Sequence, residues 1–172
     1  MKVAIAITLV CLGNLPLPAQ PETAIQTHFS MEDERIAHPA QIPPDAWKIL
    51  QQDPSTRNVL DSEGLTPEQL PRSWFQASTV SLNGSEKDLL VIANGKLMGA
   101  NVTTFWLFLQ TPQGIKLVFD APAHDLIIHS SRSKGHRDIE LVALTGVRIL
   151  TSKYRFDGTR YQLVKSTDEP IK

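Results

Sequence analysis

From Trp74 onward the chain is cut at close intervals by turn residues into short runs of Val, Ile, Leu, Thr and aromatic side chains. Such punctuation predicts an antiparallel β domain. Strands are expected near 75–82, 88–93, 102–110, 115–120, 125–129, 138–145, 147–156 and 160–164. Two connections are specified by their turn chemistry. Thr111-Pro112-Gln113-Gly114 puts Pro second and Gly fourth, which joins Phe105–Leu109 to Ile115–Phe119 as a hairpin. Asp157-Gly158 between Tyr154, Phe156 and Tyr161, Leu163 reads as a tight two-residue hairpin. Thr104–Leu109 is apolar on both alternating faces, so it is expected to be a central strand, covered on one side by helices or by a second sheet.

Ahead of that region, residues 20–72 carry most of the prolines and an acidic patch at Glu32, Asp33 and Glu34, and read as a leader with short helices. Pro43-Pro44-Asp45 opens one of them, with Ala46, Trp47, Ile49 and Leu50 at helical spacing and Trp47 expected to dock it on the main domain. Thr66-Pro67-Glu68-Gln69 has the cap, the proline and the back-reaching Gln of a second helix start, and Pro71 stops it after one turn. The expected fold is α+β, mainly β: short N-terminal helices, then one antiparallel meander of about 7–8 strands over 73–166, and a C-terminal tail over 167–172.

The first residues have a separate logic. Lys2 precedes an apolar run from Val3 to Leu12, too short to span a bilayer, and helix breakers follow at Gly13, Asn14, Pro16 and Pro18. This reads as a signal peptide over 1–19, with Leu17 and Ala19 in the small pockets of a signal peptidase and Gln20 as the first mature residue. Leu9 and Val10 put bulk where a lipoprotein signal needs small residues, so Cys11 is not expected to be acylated and leaves with the signal. The mature domain then has no thiol, no membrane anchor and only an apolar core to stabilise it, in a periplasmic or secreted location. With 17 basic against 18 acidic residues there is no electrostatic footprint for nucleic acid.

Several turn and strand motifs carry a resemblance. Asn83-Gly84 before Asp88, Leu89 and Val91, Gly99-Ala100-Asn101 before Phe105 and Trp106, Gly135 with Arg137 and Asp138, and the Tyr154 to Tyr161 hairpin together resemble a loosely defined group of exported bacterial proteins of unknown function. Members of that group look like single Asn-Gly hairpin units of the integrin-type calcium repeat (FG-GAP/VCBS-like). Here Ser81 and Ser85 stand where two calcium carboxylates would be. With one assured carboxylate, Asp88, the segment reads as a plain turn.

Polar chemistry gathers in 120–138. Arg137 and Asp138, at the entrance of the apolar strand Ile139–Leu144, are the most suggestive polar pair; Asn101 and Trp106 complete the candidate binding set. His124 and His129 are an odd number apart, hence on opposite faces of a strand, and His136 sits in a turn, so they read as solvent-facing strand ends without a metal. The expectation is a non-catalytic binding or accessory domain of the bacterial envelope, without cofactor, engaging another envelope protein or a cell-wall glycan through an edge strand or aromatic groove. The alternative is a small periplasmic hydrolase using Asp120, His124, Asp125 or Asp138, which convergence of two of these within hydrogen-bond reach in a pocket would favour.

Overall fold

A computed structural model describes residues 26–84 and 87–171. The expected signal peptide and the start at Gln20 lie outside these residues, as do Ser85 and Glu86. The fold is α+β and mainly β, as the sequence predicts. Two helices, α1 (Pro44–Gln52) and α2 (Pro54–Ser62), precede strands β2 (Phe75–Val80), β3 (Asp88–Ala93), β4 (Thr103–Thr111), β5 (Gly114–Ala123), β6 (Asp125–Ser133), β7 (His136–Thr145), β8 (Arg148–Phe156) and β9 (Tyr161–Pro170). A short β1 (His28–Ser30) comes from the leader.

The expected single meander is two antiparallel sheets, ordered β2-β3-β4-β5 and β1-β6-β7-β8-β9. The strand expected over 115–120 runs on to Ala123, so Pro122 lies within β5, opposite Thr104. It is tolerated because β5 is an edge strand. Only His124 separates the two sheets, and it crosses between them with its N–H on the Val142 carbonyl and its carbonyl accepting from Met31.

Three layers follow, and β4 explains them. Phe105, Leu107 and Leu109 pack with Phe29, Leu126, Ile128, Ile139 and Leu141 between the sheets. Trp106 and Phe108 face the other way, onto Ala46, Leu50 and Leu60 of the helices. The doubly apolar strand is therefore covered on one side by helices and on the other by a sheet. Trp47 does dock α1, edge-on to Phe75 with centroids 5.5 Å apart and with the Arg72 guanidinium 4.4 Å from its ring. In the one-turn Pro67–Gln69 helix, Gln69 Oε1 accepts from the Thr66 N–H as expected. Helix α2 follows a start that was there to read: Asp53 accepts from the Thr56 N–H as its cap, and Pro54 follows.

The Pro112-Gln113 hairpin forms as predicted, with Thr111 opposite Gly114. The second hairpin also forms, but Phe156 pairs with Tyr161, so its loop runs from Asp157 to Arg160 and is longer than the two-residue turn expected. Asp157 Oδ1 accepts from the N–H groups of Thr159 and Arg160, and Gly158 has φ +109°. The expected tail is likewise corrected. β9 continues to Pro170 because its backbone pairs with β8, although it buries almost no side chain beyond Tyr161.

His124 corrects the reading of solvent-facing strand ends. It is buried, with Nδ1 2.9 Å from Asp125 Oδ1 and Nε2 3.5 Å from Glu32 Oε1. We therefore expect His124→Ala to cost about 1–3 kcal/mol, because it empties a buried site and removes the nearer partner of Asp125, leaving His28 at 3.8 Å. Gly158→Val should cost a similar ~1–3 kcal/mol through backbone conformation alone, since a Cβ there meets open space. Urea unfolding of both variants checks this, and a silent His124→Ala would mean that its carboxylate contacts contribute nothing.

Candidate functional site

The face of the five-stranded sheet that points away from the core is polar. Along β7, Ile139 and Leu141 are buried, so alternation turns Asp138 and Glu140 outward. Register places Lys153 of β8 beside Glu140, and Lys165 of β9 beside Lys153.

Two irregularities open this face. In β6, pairing passes from Ile128↔Ile139 to Arg132↔Arg137, which leaves His129, Ser130 and Ser131 opposite Asp138. In β9, pairing passes from Tyr154↔Leu163 to Lys153↔Lys165, which leaves Val164 extra. A bulge bends its strand and re-aims side chains. Between these two bulges lies a cleft of about 380 Å³, lined among others by His129, Ser131, Asp138, Lys153, Arg155 and Lys165.

Its floor is anionic and well bonded. Asp138 accepts from Ser131 Oγ at 2.8 Å and Ser133 Oγ at 2.6 Å, and Arg155 Nε stands 3.8 Å away. In the adjoining groove, outside this lining, Glu140 Oε2 is 3.2 Å from Lys153 Nζ and 3.3 Å from His129 Nε2. That His129 nitrogen is near enough for an ion pair but makes no directed hydrogen bond. The rim is cationic. Lys153 and Lys165 sit directly opposite each other, and Lys165 forms no ion pair among the described residues. Such an arrangement can donate hydrogen bonds and positive charge to a carboxylate-bearing ligand lying on the sheet.

Of the candidate binding residues, only Asp138 belongs to this cleft. Arg137 does not pair with it. Its backbone N–H meets the Leu82 carbonyl, its Nε donates to the His129 carbonyl at 2.7 Å, and its own carbonyl accepts from Tyr161 Oη at 2.7 Å. Arg137 thus holds the β6 bulge in shape from behind. Asn101 is exposed in the loop before β4, on the other sheet. Trp106 is fully buried and donates through Nε1 to Asp53 Oδ2 at 3.2 Å, so it anchors α2 and reaches no ligand.

The hydrolase set divides similarly. Asp120 is exposed on β5, and Asp138 lies in the cleft. His124 and Asp125 do converge, yet both ring nitrogens of His124 face carboxylates and its ring is buried, an arrangement that clamps β1 to β6. His136 stacks on Phe156 at 4.1 Å, away from both. No group of three or more potential metal ligands occurs among the described residues.

In the segment that resembles a calcium loop, Asp88 turns inward. It accepts from the N–H groups of Leu82 at 3.0 Å and Gln110 at 3.2 Å. Its carboxyl is pushed up by burial and held back by those bonds and one from Asn83. A larger depression of about 550 Å³ between residues 40–44 and Phe75 offers less chemistry, since its cation, Arg72, is committed to Trp47.

Glu140, Lys153, Arg155 and Lys165 were not legible as a site, because only strand register brings them together. The chain matches no known family, no curated protein and no solved structure.

Proposed function

We propose that this chain is an exported, non-catalytic binding or accessory domain of the bacterial envelope, whose ligand surface is the cleft between the β6 and β9 bulges. The observation that carries the reading is the cluster of Lys153, Arg155 and Lys165 at the rim, of which Lys165 forms no ion pair among the described residues, above Asp138, which Ser131 and Ser133 already bond. Export is supported by the apolar run from Val3 to Leu12 and by the resemblance to exported bacterial proteins; N-terminal sequencing that finds Met1 retained would remove that part.

Of the two partner classes, the cleft favours an acidic segment of another envelope protein over a neutral glycan. A glycan site is ordinarily built on an open aromatic face, and the ring in this lining, Tyr154, is packed edge-on to Phe119 at 4.9 Å. An oligoglutamate peptide is the probe. It should bind with a dissociation constant that rises with salt, and Arg155→Glu should weaken it about tenfold or more. Binding of a neutral cell-wall glycan that is indifferent to Arg155→Glu, or no peptide binding at low salt, would overturn the reading.

A further inference from the structure

Each sheet has one covered edge and one edge, β5 or β9, with no strand beside it among the described residues. The free side of β2 is covered by the leader, where Ala40 N–H meets the Ala77 carbonyl and Thr79 N–H meets the His38 carbonyl. β1 covers β6. At the other end of the five-stranded sheet, β9 has no strand beside it among the described residues, and its ten residues leave a long open edge.

Its pattern is self-complementary. Ile171 N–H bonds to the Val147 carbonyl, and pairing then alternates along β8, so residues 165, 167 and 169 turn their backbone groups toward β8. Ser166 and Asp168 therefore turn theirs outward. On the solvent-facing side, Lys165, Thr167 and Glu169 share one face, as their common groove confirms. Neither Lys165 nor Glu169 forms an ion pair among the described residues, and Lys165 already faces a like charge in Lys153. Four residues of extended chain separate the two, roughly 13 Å, too far for them to meet within one strand.

We infer that β9 is a self-association edge: two copies of this chain pair their β9 strands antiparallel about Thr167, joining their five-stranded sheets into one. This register sets Ser166 opposite Asp168 of the second copy, so that the outward N–H and C=O groups of both are matched. The Asp168 carbonyl, which accepts from Arg148 Nη2 at 3.2 Å, keeps a lone pair for this. The same register sets Lys165 opposite Glu169 on both sides of the two-fold axis, and Thr167 opposite itself. Shifting the pairing by two residues would lose the Lys165–Glu169 match or oppose Asp168 to itself. A charged edge commonly serves to repel other strands; here its charges are spaced to attract an identical one. The inference does not rest on the cleft as a ligand site, although it engages Lys165, which also lies on the cleft rim.

Sedimentation equilibrium of the full chain should show a monomer–dimer equilibrium. Glu169→Lys should raise the dimer dissociation constant about tenfold or more by opposing lysines, and Lys165→Glu/Glu169→Lys should restore it. In a Cys11→Ser background, Thr167→Cys should cross-link as a dimer under mild oxidation, since facing residues of a non-hydrogen-bonded pair are close enough for a disulfide. A chain that stays monomeric at millimolar concentration overturns the inference, as does a dimer unmoved by Glu169→Lys or a Thr167→Cys variant that does not cross-link. Loss of oligoglutamate binding in Arg155→Glu with the dimer intact tests the cleft separately.

Discussion

Trp106→Ala is expected to destabilise the protein by about 3–5 kcal/mol, the usual cost of emptying a large aromatic site in a packed core. Trp106 has no exposed surface, lies 5.8 Å centroid to centroid from Phe75, and sits on the helix-facing side of β4 with Leu50 and Leu60. Its Nε1 also donates to Asp53, whose other carboxylate oxygen caps α2 through the Thr56 N–H. One side chain therefore fills the helix–sheet interface and orients the helix start. Trp106→Phe should cost less, because it keeps much of the volume and loses the bond to Asp53. Urea denaturation of both variants reads the two contributions. A cost below about 1 kcal/mol for the alanine variant would show that the helical layer is not held on through this ring.

Asp88→Ala is the second large effect, expected at about 2–4 kcal/mol, since a buried N–H left without an acceptor costs about 1–3 kcal/mol. Leu82 is fully buried; its N–H bonds to Asp88 and its carbonyl accepts from the Arg137 N–H, so this residue joins the two sheets. Removing the Asp88 carboxylate orphans the Leu82 donor and weakens the Gln110 contact as well. Asp88→Asn should fall between wild type and alanine, because an amide offers one acceptor oxygen where the carboxylate offers two.

The pH dependence separates charge from hydrogen bonding. Burial raises the Asp88 carboxyl above its ordinary 3.8 in the folded protein. A raised folded value means that the folded state holds the proton more tightly than the unfolded chain. Its contribution to stability is therefore complete below that ordinary value and is lost as pH rises through the folded one. The advantage of wild type over Asp88→Asn should shrink over that interval. An advantage that grows with pH would show that the three N–H donors outweigh burial.

Much of the architecture was legible because it depends on local chemistry. Pro112 and Gly114 define their hairpin whatever the strands pack against, and Gln69 reaches back to Thr66 within a single turn. The two-sided apolarity of β4 announced a covered strand, since neither face of Phe105–Leu109 can be left in water. The missed features share a different cause. β1 is three residues long, too short to show a period, and forms because Phe29 finds a place between the sheets. The extension of β9 carries no apolar alternation, and only pairing to β8 makes it a strand.

The candidate site was read from adjacency in the chain, and adjacency misled. Arg137 and Asp138 are neighbours in a strand, so they point to opposite faces and cannot share a ligand. Glu140 and Lys153 are far apart in sequence yet stand side by side, because the β7–β8 register pairs them. By itself the sequence determined the strand-rich class, the helical leader and two of the turns, all set by periods and φ preferences that act over a few residues. Tertiary structure alone decided where the meander divides into two sheets, that His124 is buried, and which charges meet on the open face, because these depend on partners and cross-strand register that no local pattern encodes.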